Sequence, residues 1–143
     1  MPPVTTGLEL LTREPHPWIA GARLGLLCNP ASVDRQITHA RTLINHAFPR
    51  KLKALYSPQH GFFAEKQDNM IESQDMLDPA LKIPVFSLYG QSRVPSERMF
   101  APIDVLLVDL QDVGTRVYTF IYTLSYCLEA ALTYNVRALF LDR

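Results

Sequence analysis

Residues 104–110 read Asp104-Val105-Leu106-Leu107-Val108-Asp109-Leu110, four consecutive aliphatic side chains with a carboxylate at either end. A strand that faces water on one side alternates apolar and polar residues, whereas an unbroken aliphatic run fits a parallel strand covered on both faces. Parallel strands need crossover connections, so this one segment points to a layered α/β domain. The rest of the chain supplies matching parts. RLGLLC at 23–28, and the runs at 52–56, 83–88 and 137–141, have strand length. Residues 37–48 place Ile37, Ala40, Ile44 and Ala47 at helical spacing, with Pro49 as a stop. A second amphipathic helix is predicted over 117–133, with Phe120, Ile121, Leu124, Leu128 and Ala131 on its buried stripe. Shorter helices are predicted at 7–13 and 96–100, the latter capped by Pro95 or Ser96, while Pro58 and Gly61 enforce a turn over Ser57 to Phe63 and the polar excursion that follows, to Asp78, has no period and reads as a loop. Right-handed crossovers then give a Rossmann-like, doubly wound α/β domain over residues 1–143, with a mainly parallel sheet of about five strands. The last strand lacks a helix to cover it, which predicts that the polypeptide continues.

Composition narrows the partners. A chain of 143 residues fits one domain, which at this size buries roughly 70% of its unfolded surface and needs no staples. Fourteen basic residues balance fourteen acidic ones, so no overall field draws the chain to nucleic acid or an anionic membrane, and neither is expected as a partner. Cys28 and Cys127 lie in apolar runs without CxxC spacing and are expected as buried, reduced thiols. The opening MPPVTTGLELLTREP has no basic stretch followed by a long apolar one, and no run reaches membrane-spanning length. A cytoplasmic location is the expectation, with export open to a form carrying additional N-terminal sequence.

In open parallel sheets ligands bind beyond the C-terminal ends of the strands. Here those loops carry Asn29 and Ser32; Gln59 and His60; Ser87 and Tyr89; Asp109, Gln111, Asp112, Thr115 and Arg116; and Asp142 with Arg143. These groups suit a polyhydroxylated or N-acetylated ligand, although strand-end loops are also polar simply because water reaches them. The first βα turn reads CNPASVD, and neither GxGxxG nor GxxxxGK[ST] occurs, which disfavours a nucleotide-binding Rossmann domain. No GxSxG elbow is present, and His16, His39, His46 and His60 lack the HExxH spacing of a zinc site. No metal and no cofactor are expected. His39 and His46 fall on the first predicted helix, where an exposed or capping role is the ordinary one, and only His60 sits at a strand end.

Four strings stand out in order along the chain: Ser57-Pro58-Gln59-His60-Gly61-Phe62, Ser87-Leu88-Tyr89-Gly90, the run from Asp109 through Gln111-Asp112-Val113-Gly114-Thr115-Arg116 to Thr119, and Leu141-Asp142-Arg143. From about Gly7 onward the chain resembles the exo-β-N-acetylmuramidases, long catalogued as a domain of unknown function. The resemblance implies a glycoside hydrolase that removes N-acetylmuramic acid from the non-reducing end of peptidoglycan fragments by a carboxylate mechanism. It also implies a C-terminal domain of the same polypeptide, with the cleft between the halves. In that family the histidine-glycine motif usually begins Pro-Glu-His-Gly, and the glutamate is the best candidate for the catalytic acid or base. Here that position is Gln59, and an amide cannot exchange a proton at neutral pH.

Glycoside hydrolysis ordinarily uses two carboxyl groups. Glu65, Asp68, Asp109 and Asp112 are the local acids; Asp112 has the best motif support, with His60 beside it as the third catalytic candidate. Helix capping and loop closure onto Arg116 would equally account for Asp109 and Asp112. Arg116 suits the lactyl carboxylate that separates N-acetylmuramic acid from N-acetylglucosamine, because a guanidinium meets a carboxylate in bidentate geometry. Tyr89 and Tyr118 are suited to stack on a sugar face, or equally to pack at the core's rim. Asn29, Ser87, Asp109, Gln111 and Asp142 complete the expected substrate-binding set. The alternative reading is a sugar-binding domain that keeps the cleft and has lost turnover at Gln59.

Overall fold

A computed structural model of the chain describes residues 4–58, 75–90, 93–111 and 119–142. Its core is a six-stranded sheet with strands β1 (Leu24–Cys28), β2 (Leu52–Ser57), β3 (Met76–Leu77), β4 (Pro84–Ser87), β5 (Val105–Asp109) and β6 (Arg137–Phe140). The order across the sheet is β3-β4-β2-β1-β5-β6, and every neighbouring pair is parallel except β3 with β4. The doubly wound α/β expectation holds. The sheet of about five expected strands has six, because Met76 and Leu77 add an antiparallel edge inside the segment read as a loop. Both residues are exposed, so no hydrophobic pattern marks that strand.

The helices are α1 (Gly7–Arg13), α2 (Ala40–Ala47), α3 (Glu97–Phe100) and α4 (Phe120–Thr133). Strands β1 and β5 are buried at every position, as continuous aliphatic runs require when both faces are covered. One face packs Leu24, Leu26, Leu55, Val85 and Leu107 under Leu8 and Leu11 of α1 and Ala40 and Ile44 of α2. The other packs Leu27, Tyr56, Phe86, Leu106 and Val108 against Phe100 of α3 and Cys127, Ala130 and Ala131 of α4. Gly25 opens room in that second layer: a Cβ there would come within 2.7 Å of the Tyr56 ring and 2.8 Å of Ile103. The phenol of Tyr56 donates to the Met99 carbonyl at 2.6 Å, and its ring meets Phe100 edge-on at 5.4 Å.

Two helices differ from their predicted form. The first begins at Ala40, not Ile37, because the Asp34 carboxylate accepts from the backbone N–H groups of Gln36 and Thr38 and so closes a turn. Ile37 has φ 63° and is 81% exposed, so it forms no part of the buried stripe. In α4 the buried face is Phe120, Thr123, Cys127, Ala130 and Ala131, whereas Ile121 and Leu128 point outward. The helix is apolar on more than one side, and the threonine and cysteine that face the core are weaker pattern markers than the exposed aliphatics. Cys28 and Cys127 are free and buried, as expected. Burial raises the Cys127 thiol to about 12.

Candidate functional site

The chain winds outward from β1 through β2 to β4, then returns to the opposite side of β1 to place β5 and β6. The direction of winding therefore reverses between β1 and β5, and a doubly wound sheet opens its ligand crevice at that point, beyond the C-terminal strand ends. Asn29 follows β1 directly, while Asp109 ends β5 with Gln111 two residues beyond it. The turn after β1 is locked from within. The Asn29 Oδ1 accepts from the Ala31 N–H at 3.0 Å and from the Ser32 hydroxyl at 3.3 Å, and the Asn29 N–H donates to Ser32 Oγ at 3.0 Å. The same hydroxyl also lies in close hydrogen-bonding contact with the Asp109 carbonyl, joining the two sides of the crevice.

His39 reinforces this turn from α2. As the N-cap, its Nδ1 accepts from the Arg41 N–H at 3.2 Å, so the ring proton resides on Nε2 and donates to the Asn29 carbonyl at 2.9 Å. Burial holds the imidazole below its ordinary pKa, against the pull of the Asn29 carbonyl. A second brace lies beside it, where Arg41 pairs with the fully buried Asp78. Asp78 in turn accepts from the N–H groups of Ala80 and Leu81.

A cross-sheet row adds further polarity. Ser57 pairs with Ser87 and Cys28 with Asp109, and because Leu27 lies beside Tyr56, the four residues stand at one level at the strand ends. The row faces the layer under α1 and α2, because Cys28 packs there with Leu24 and Leu26. Asp109 is fully buried, and burial, followed by the Asp109 charge, pushes the Cys28 thiol far above its usual range. That thiol is consequently a poor nucleophile. Ser87 is also buried; its N–H donates to Asp75 Oδ1 at 2.9 Å, and its Oγ accepts from the Tyr89 N–H at 3.3 Å.

Beyond β5 and β6 lies a cleft of about 370 Å³ whose floor includes Leu110, Phe120, Leu124 and Phe140 and whose polar lining is Gln111 and Asp142. The Asp142 carbonyl accepts from the Gly7 N–H at 2.5 Å, which seats the start of α1 on the end of β6. Only glycine permits this approach, because a Cβ at residue 7 would fall 2.5 Å from the Asp142 nitrogen.

Of the expected site residues, Asn29, Ser87, Tyr89, Asp109, Gln111 and Asp142 all lie at the C-terminal edge of the sheet. Gln111 and Asp142 share one cleft, and Asn29 and Asp109 are joined through Ser32. Gln59, His60, Asp112, Arg116 and Tyr118 lie outside the described residues, as do Glu65 and Asp68. Sequence reasoning did not find the brace from His39 to Asn29, the role of Asp75 beneath Ser87, or the pairing of Arg41 with Asp78. The partners in these pairs are 10 to 37 residues apart, and no local motif links them. Among the described residues no group of three His, Cys, Asp or Glu side chains is arranged to hold a metal ion.

Residues 24–143 match the family model described as exo-beta-N-acetylmuramidase NamZ, N-terminal. The chain is 37% identical over 142 residues to the peptidoglycan beta-N-acetylmuramidase NamZ of Bacillus subtilis (strain 168), covering 99% of this chain and 34% of that protein. Two crystal structures of DUF1343 family proteins from Bacteroides fragilis NCTC 9343 share the fold. One has a TM-score of 0.83 at 36% identity and the other 0.75 at 26%, each covering 96% of this chain and 34% of its own. The chain thus spans about a third of the length of the relatives it matches.

Proposed function

The chain belongs to the exo-β-N-acetylmuramidase NamZ family, matching its N-terminal part, and on that premise we propose that it forms one wall of the cleft of a glycosidase that releases N-acetylmuramic acid from the non-reducing ends of peptidoglycan fragments. The observation that carries this reading is the placing of Asn29, Gln111 and Asp142, with the buried Ser87 and Asp109 in the same row of strand ends, along the C-terminal edge of one sheet whose winding reverses between β1 and β5. A sugar offers hydroxyl and acetamido groups, which need a fixed array of donors and acceptors. The turn at Asn29, held by Ser32 and His39, provides such a rigid support.

In this reading the C-terminal domain of the same polypeptide closes the cleft and supplies whatever carboxyl group this chain does not. The roles of His60 and Asp112 at the anomeric centre and of Tyr118 against the sugar belong to the same proposal. Cleavage requires a proton for the leaving oxygen, together with a carboxylate that stabilises or attacks the anomeric carbon. Gln59 cannot deliver that proton.

Gln59 favours a second reading, a sugar-binding relative without turnover. Gln59→Glu in the full-length protein separates the two. A rise in chromophore release from a nitrophenyl N-acetyl-β-muramide of roughly 10²-fold or more is expected if only the acid is missing. Sugar binding without release in either form would support the second reading.

A further inference from the structure

Two arginines approach the far end of β4, and they differ in charge compensation. Arg98 of α3 pairs with Asp75 at 2.8 Å and lies over the Phe86 ring at 5.3 Å. The other Asp75 oxygen accepts from the Ser87 N–H, so this carboxylate is committed to both neighbours. Arg93, in the loop that leaves β4, has its guanidinium carbon 4.9 Å from the centroid of the Tyr89 ring. It is exposed, and among the described residues no carboxylate pairs with it.

The platform beneath it is fixed. The Tyr89 N–H donates to Ser87 Oγ, and the preceding Leu88 N–H donates to the Ser57 carbonyl at 2.9 Å. Stacking on an aromatic ring restrains a long side chain, so less freedom is lost when its N–H groups engage a ligand. β4 stands two strand spacings from β1, about 10 Å along the strand-end edge. A sugar of peptidoglycan seated at the crevice and extending along that edge would bring its substituents toward the Tyr89 platform.

We propose that Arg93, preordered on Tyr89, binds the lactyl carboxylate that distinguishes N-acetylmuramic acid from N-acetylglucosamine. This rests on the strand-end edge being the sugar site. Arg93 meets the chemical requirement, since its guanidinium is a planar cation with paired donors and no protein counter-charge among the described residues.

The test is calorimetric titration of the full-length protein with N-acetylmuramic acid and with N-acetylglucosamine, for the wild type, Arg93→Gln, Arg93→Lys and Arg116→Gln. The wild type should prefer the muramic sugar, and Arg93→Gln should reduce that preference roughly tenfold or more while leaving glucosamine binding unchanged. Arg93→Lys should retain part of it. Because Arg93 is exposed, its variants should melt at the wild-type temperature. Full preference in Arg93→Gln overturns the inference, the more so if Arg116→Gln loses it. A wild type that binds both sugars equally also overturns it, yet leaves the sugar site standing. Failure to bind either sugar refutes the sugar-site reading, and the Arg93 assignment falls with it.

Discussion

At the scale of single residues, His39 has the widest structural influence for its size. One nitrogen caps α2 and the other holds the carbonyl of Asn29, so the ring connects a helix start to the turn at the crevice. His39→Ala removes both contacts and should cost about 1–3 kcal/mol in urea denaturation. The same ring sets a pH dependence. Its folded pKa lies below the ordinary 6.5, so below that pH the unfolded chain binds the proton more readily than the folded one. Its contribution is complete above about pH 6.5 and declines as the pH falls from there toward the folded value. A stability profile of His39→Ala should lack this decline; an unchanged profile would assign the slope to other groups.

At the scale of elements, the second core layer depends on a vacancy in β1. Tyr56 fills the space above Gly25, so Gly25→Ala inserts a methyl group against the ring and Ile103. The expected cost is about 1–3 kcal/mol, read as a lower urea midpoint with an unchanged slope. The long strands could be read in the sequence because burial on both faces leaves an aliphatic run, as in Val105 to Val108. β3 could not, since two exposed residues become a strand only by pairing with β4. The face of α4 was misread for a related reason: Leu128 and Ile121 are as apolar as a core demands, and only the packed helix shows that Cys127 and Thr123 turn inward. The strand-end positions of Asn29 and Asp142 were legible because the aliphatic runs before them mark the strands they follow. The contacts of Asp75 and Arg93 were not legible, because their partners are brought near only by the folded chain.

At the scale of the whole molecule, ion pairs fasten segments far apart in sequence. Glu9 of α1 pairs with Arg35 at 2.7 Å, and Asp104 before β5 pairs with Arg23 before β1 at 2.7 Å. Hydrogen bonds from these arginines hold both carboxyls at about 2, below ordinary values of 4.5 and 3.8. Depressed carboxyl values contribute stability that is complete above the unfolded pKa and lost as the pH falls through the folded one. An acid titration should therefore show stability falling from about pH 4.5 to about pH 2, and Glu9→Gln with Asp104→Asn should flatten that limb. The same architecture sets the functional expectation, for a doubly wound sheet with a polar strand-end edge offers one wall of a cleft, and the relatives are about three times longer. The most direct measurement is chromophore release by the full-length protein from nitrophenyl N-acetyl-β-muramide, beside the matching glucosaminide. Release from the muramide in clear preference to the glucosaminide, slow in the wild type and faster in Gln59→Glu, is the predicted result. Release from neither substrate by either form, with the protein folded, would contradict the assignment as a muramidase.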